Sequence, residues 1–186
     1  WRTLGQQLEI RDKVVLRNMV WAITADGVIR WTVENRQPQQ YMRYGSEHGL
    51  NGNAAYYTIT YDDAGRIWVG GKNGIAYWDG AQWHPEPTAQ LPIPHIHCLL
   101  AHQDTLFIGT ARGGGRLSYQ NDQWMWEPIE LPMMPNQPIR AVAISAENTH
   151  YFGTPFGLFT YTPENNQWNH ATMAHQLPTN EVTCLH

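Results

Sequence analysis

His95 and His97 flank Ile96 in the run Pro94-His95-Ile96-His97-Cys98. Alternate side chains of an extended strand share a face, so the two imidazoles would stand together at a spacing that can hold a divalent metal. Catalytic zinc needs a third protein ligand and an open position, and structural zinc needs four ligands. The other histidines of the same stretch, His84 and His102, are expected on an outer strand and at a turn. The pair is therefore read as facing water, with no metal and no cofactor assigned. Arg112-Gly113-Gly114-Gly115-Arg116 would expose backbone N–H groups to a phosphate, but no helix pattern follows it and the Walker lysine and hydroxyl are missing. It is expected to be a long hairpin turn carrying two solvated arginines. Asp62-Asp63 lacks the repeated carboxylates of a calcium loop. The chain has no Gly-x-Ser-x-Gly turn, no His-Glu-x-x-His and no cysteine placed with a base, so no catalytic residue is assigned.

The elements that would carry these residues recur. An aromatic residue, a small residue, a glycine and a second aromatic follow one another at Trp21, Thr24, Gly27 and Trp31, at Trp68, Gly71, Gly74 and Trp78, at Phe107, Thr110, Gly113 and Tyr119, and at Tyr151, Thr154, Gly157 and Tyr161. The third copy reads as carrying two extra residues after its glycine. Glutamine plus an aromatic follows each copy, at Gln40-Tyr41, Gln82-Trp83, Gln123-Trp124 and Gln167-Trp168. Leucines precede them at Leu8, Leu50, Leu91, Leu131 and Leu177, spaced by 42, 41, 40 and 46 residues. Periods in this range mark stacked or radial arrays of supersecondary units.

The second unit resolves into four short strands at residues 55–61, 66–70, 75–78 and 82–85, separated by turns at Asp62-Asp63-Ala64-Gly65, Lys72-Asn73-Gly74 and Asp79-Gly80. Four-stranded antiparallel units at this period define an all-β fold, a β-propeller whose blades pack around a channel. About four full blades are expected, at residues 8–49, 50–90, 91–130 and 131–176, with partial blade strands at 1–7 and 177–186. The strand at 182–186 would open a further blade, so the chain reads as a single propeller region or a fragment of a longer one. Trp21, Trp68, Phe107 and Tyr151 are expected to fill the space between blades, while the small residues beside them let backbones approach.

The run from Asp62 to Gly80 resembles the two-component regulator propeller repeat, in which an Asp and a Gly-containing turn precede an aromatic strand and an Asn-Gly turn. Leu177-Pro178-Thr179-Asn180-Glu181-Val182 resembles that repeat's opening. The first repeat is the most degenerate, with Arg17-Asn18-Met19 in place of the acidic turn. The resemblance implies a sensor propeller of a bacterial hybrid histidine kinase or related regulator, extracytoplasmic, relaying binding to a downstream kinase or regulator, and it brings no catalytic residue. WD and kelch repeats fit less well. The alternative is a propeller enzyme resembling the streptogramin lyases, which would need a histidine base, a divalent metal and a carboxylate at the channel mouth. No clear acidic partner for the histidines is visible in the sequence.

First strands of propeller blades line the channel, so His95 and His97, with Tyr57 and Arg140 from neighbouring first strands, form the candidate ligand-binding set. The expected partner is a small molecule or glycan, or a neighbouring protein domain, and two copies could associate to close a ring. Twelve Lys and Arg against sixteen Asp and Glu give a net charge of -4, so no basic stripe exists to bind nucleic acid. No apolar run is long enough to cross a membrane, which would be reached only through a longer parent. Cys98 and Cys184 fall on first strands two blades apart and are not expected to pair.

Overall fold

A computed structural model of the chain describes residues 9–35, 37–51, 55–72, 74–85 and 95–185. The expected partial strand at 1–7, the repeat leucines Leu8 and Leu91, and Pro94 lie outside the described residues.

Among the described residues sixteen strands build four antiparallel sheets in simple meander order. Blade 1 comprises β1 (Ile10–Leu16), β2 (Met19–Thr24), β3 (Gly27–Glu34) and β4 (Gln37–Tyr44). Blade 2 comprises β5 (Tyr56–Tyr61), β6 (Ile67–Gly71), β7 (Gly74–Trp78) and β8 (Trp83–Pro85). Blade 3 comprises β9 (Ile96–His102), β10 (Thr105–Thr110), β11 (Gly113–Gln120) and β12 (Gln123–Ile129). Blade 4 comprises β13 (Ala141–Ile144), β14 (His150–Thr154), β15 (Gly157–Thr162) and β16 (Gln167–Ala171). The first strands β1, β5, β9 and β13 lie side by side, one per blade, as the inner row of a propeller.

The repeated phrase has a physical basis at each of its positions. Trp21 and Trp68 are 1 % exposed and Phe107 is 3 % exposed. Each ring faces the next blade, where three apolar clusters join blades 1 and 2, 2 and 3, and 3 and 4. Two residues later, Gly70, Gly109 and Gly153 leave room for an aliphatic side chain arriving from the following segment. A Cβ on Gly70 would stand 2.7 Å from Ile96 Cγ2, one on Gly109 2.9 Å from Ile139 Cγ2, and one on Gly153 2.8 Å from Val182 Cγ1. The threonine and glycine form the tight turn. Thr110 Oγ1 donates to Gly113 O at 3.0 Å and accepts from the Arg112 N–H, and Thr154 repeats this with Gly157 and Phe156. Gly113 takes φ +82°, which a side chain would strain.

Four expectations are corrected. Gly114 and Gly115 are not part of a long turn but lie within β11, opposite Gly109 and Ile108. A Cβ on Gly115 would run into the Trp126 indole and one on Gly114 would meet Ile139, so these glycines are seats for packed side chains. Nor does the third repeat carry an insertion after Gly113. Arg116 pairs with Phe107 as Tyr77 pairs with Trp68, and the extra residues lengthen the far end of the β11–β12 hairpin. Its Trp124 reaches back to meet the Trp68 ring edge-on at 5.0 Å. Tyr151 is only partly buried, because among the described residues no full blade covers the face of blade 4 that carries it. The strand expected at 182–186 is not formed within the described residues 182–185. Val182 does donate its N–H to Thr154 O at 2.9 Å, as Ile139 does to Thr110 O at 3.0 Å.

Candidate functional site

A β-bulge inserts one extra residue into a strand and re-aims its side chain. The inner strands of blades 1 to 3 carry one at the same register. Arg11 is the extra residue between Ile10, opposite Thr24, and Asp12, opposite Ile23. Tyr57 stands between Tyr56, opposite Gly71, and Thr58, opposite Gly70. His97 stands between Ile96, opposite Thr110, and Cys98, opposite Gly109. Arg140 occupies the corresponding place in blade 4, immediately before Ala141, and donates its N–H to Gly153 O at 2.8 Å. Tyr56, Thr58 and Ile96, beside the bulges of blades 2 and 3, are buried, whereas Ile10 beside Arg11 is 48 % exposed; the three bulged positions and Arg140 form one row on adjacent inner strands.

Of the residues singled out in the sequence, Tyr57, His97 and Arg140 belong to this row, and His95 lies two residues before His97. Tyr57 is 39 % exposed and its ring lies 5.5 Å beneath the guanidinium of Arg11. Arg11 also reaches toward Tyr56 O, and Asp12 Oδ2 accepts the Ile59 N–H at 2.9 Å, tying blade 1 to blade 2. His97 is held below the usual histidine range by partial burial, by the guanidinium of Arg140 and by His95. The imidazole is therefore neutral at pH 7, beside a fixed positive charge. Arg140 forms an ion pair with Glu181.

Arg11 and Glu181 escaped the sequence reading. Arg11 sits three residues after Leu8, whereas His97 sits six after Leu91 and Arg140 nine after Leu131, so leucine spacing does not reveal the shared bulge. Glu181 is aligned with the inner row only through the contacts of Val182. The histidine with the clearest carboxylate partner is His84, whose Nε2 lies 2.6 Å from Asp79 Oδ2 at the β7–β8 turn. Asp79 is lowered to about 2 by the backbone N–H of Gln82, by His84 and by the backbone N–H of Ala81. That pair belongs to the β7–β8 hairpin and not to the inner row.

The row suits a polar ligand better than a cation. Arg11 and Arg140 supply fixed donors, His95 and His97 supply imidazoles, and Tyr57 supplies an aromatic face. Among the described residues no three His, Cys, Asp or Glu side chains converge on a metal position. Cys98, a free thiol just past the bulge, is pushed up to about 12 by burial, which disfavours its thiolate. Asp62, the other acidic candidate, is committed to Trp68 and Arg66.

No curated protein matches the chain. Solved structures do. The extracellular domain of BT4673 from B. thetaiotaomicron, assigned to a one-component system, superposes with a TM-score of 0.79 at 17 % identity, covering 99 % of this chain and 25 % of its own. The extracellular domain of BT3049 from the same organism, assigned to a hybrid two-component system, gives 0.75 at 16 % identity, covering 94 % and 24 %. PorZ, a surface component of the type-IX secretion system of Porphyromonas gingivalis, gives 0.66 at 14 % identity, covering 92 % and 24 %. The chain spans about a quarter of the length of these structures. At such identities the likeness establishes the propeller fold. The sequence match falls on the unit that holds Asp62 and Trp68: residues 49–73 match the family described as two component regulator propeller.

Proposed function

We propose that the chain is a non-catalytic binding segment of an extracytoplasmic sensor propeller, with the inner row of Arg11, Tyr57, His97 and Arg140 as its ligand contact. The observation that carries this reading is the bulge at one register on successive inner strands, which turns polar side chains out of the blade core in a chain bearing a two-component regulator repeat. The described residues contain no helix long and apolar enough to cross a membrane, and the two B. thetaiotaomicron structures are extracellular domains. The ligand class that the donors favour is a small polar molecule, such as a glycan fragment, rich in hydrogen-bond acceptors. Relay to a kinase or regulator would follow from ligand-induced tightening of the inner strands. The lyase alternative would place a divalent ion beside His95 and His97, where the Arg140 guanidinium repels it.

The test is a thermal-shift screen of the purified chain against polar small molecules and oligosaccharides, repeated with Arg11→Ala and Arg140→Ala. A ligand that raises the melting temperature of the parent chain and not of the two variants supports the assignment. Ligands that stabilise all three proteins equally place the binding site elsewhere.

A further inference from the structure

The three interfaces between blades are built at equivalent positions but are not filled alike. Between blades 1 and 2 the Trp21 indole fills the space, meeting Trp83 edge-on at 6.1 Å and stacking on Tyr44 at 5.6 Å. Between blades 2 and 3 the Trp68 indole does so, tilted against Tyr77 at 4.8 Å. Between blades 3 and 4 the equivalent residue is the smaller Phe107, and a groove of about 240 Å³ remains, walled by Phe107, Arg116, His150, Phe152 and Trp168, with the carboxylate-bearing Glu130 at its edge.

The polar groups of this groove also depart from the repeat. His150 is 6 % exposed at the position that is Ile67 in blade 2 and Leu106 in blade 3, and its Nε2 is engaged by Asn148 Oδ1 at 3.2 Å. The Arg116 side chain, 36 % exposed, pairs through Nη2 with Glu127 at 2.8 Å, while its Nε atom is buried and has no hydrogen-bond partner among the described residues. A buried donor left unpaired is costly, and an acceptor supplied by a ligand would remove that cost. Blade 1 displays how a guanidinium at this position meets an aromatic system: Arg30, the register equivalent of Arg116, lies 5.5 Å over the Trp21 ring.

We propose that the groove between blades 3 and 4 binds a small planar aromatic carboxylate. Its ring takes the volume that an indole fills in the other two interfaces, and its carboxylate accepts the Nε–H of Arg116. This site is separate from the inner row and does not rest on the sensory reading.

Isothermal titration of the purified chain with indole-3-acetate tests it, with cyclohexylacetate as a carboxylate lacking the flat ring and tryptamine as a ring lacking the acceptor. Saturable binding of indole-3-acetate is expected, with both other compounds at least about tenfold weaker. Phe107→Trp fills the groove with the residue that blades 1 and 2 already use, and should weaken indole-3-acetate at least about tenfold while melting cooperatively. Arg116→Gln, which leaves the ring seat intact, should weaken it comparably and carries the test if Phe107→Trp does not fold. Absence of saturable binding at millimolar indole-3-acetate, unchanged affinity in a folded Phe107→Trp or in Arg116→Gln, or equal affinity for cyclohexylacetate or tryptamine would each overturn the proposal.

Discussion

The indole Nε1 of Trp68 donates a 2.8 Å hydrogen bond to Asp62 Oδ2. The same oxygen takes the Arg66 Nε at 2.6 Å, while Asp62 Oδ1 accepts the Arg66 N–H at 2.9 Å. The guanidinium so held lies 4.9 Å over the Trp124 ring of the next blade. One carboxylate thus closes the turn between the first two strands, satisfies a buried indole and presents a cation to the neighbouring blade. Blade 1, with Arg17-Asn18-Met19 at that turn, lacks the carboxylate, and its Trp21 Nε1 is buried without a partner among the described residues.

Asp62→Ala should therefore cost about 2–3 kcal/mol, because it strands the Trp68 N–H and frees Arg66 at once. Trp68→Ala should cost about 3–5 kcal/mol through the cavity it leaves between blades 2 and 3. Urea unfolding followed by far-UV circular dichroism measures both. A loss below about 1 kcal/mol for Asp62→Ala would mean that water can replace the carboxylate and that the turn is not buried as described.

The glycine run offers a second contrast. Gly115→Ala should destabilise by about 1–3 kcal/mol, since its methyl group must displace the Trp126 indole or the Glu127 backbone. Arg112→Ala, at the tight turn itself, should change stability by less than about 0.5 kcal/mol. Equal and negligible effects would return residues 113–116 to the open loop that their composition implies.

A pH dependence follows from His150, which burial, Arg116 and His102 hold below the usual histidine range. The unfolded chain takes up a proton at this residue at higher pH than the folded one. The contribution of His150 to stability is thus intact above the ordinary histidine pKa of about 6.5 and falls as pH drops through that value toward the depressed folded one. His97 acts in the same direction but is more exposed, so its share is screened. Melting temperatures between pH 8 and pH 5, on the order of this window, should fall for the parent chain and fall less for His150→Leu, which restores the aliphatic residue of the other blades. Identical slopes would remove His150 as the cause.

The blade plan was legible in the sequence because it is imposed by packing that recurs. A ring must fill each interface, a small residue must enter the tight turn, and a glycine must complete it, so Trp68, Gly71 and Gly74 announce themselves by spacing, whereas Gly70, which makes room for Ile96, does not. The candidate site was legible only in part. Tyr57, His97 and Arg140 were reached by placing first strands around a channel, but what aligns them is a bulge, a backbone event without a residue signature, and Arg11 was missed for that reason. The glycines of blade 3 misled because composition alone does not distinguish a glycine that bends the chain from one that makes room for Trp126.

A side chain that a bulge turns out of the core is one the fold does not need. His95→Ala with His97→Ala should together change stability by less than about 1 kcal/mol, since His97 is solvent-exposed and the packing of this strand is carried by Ile96 and Leu99, which are 0 % and 8 % exposed. Glu181→Ala should likewise cost no more than about 1 kcal/mol, because its ion pair with Arg140 is half in solvent. Ile96→Ala, one residue from the bulge, should cost about 2–5 kcal/mol, because its side chain packs against Gly70 between blades 2 and 3. Chemical denaturation of the three variants measures this division directly. A large loss in the double histidine variant would put those imidazoles in the core and remove them, with the rest of the bulged row, from any role in contacting a ligand.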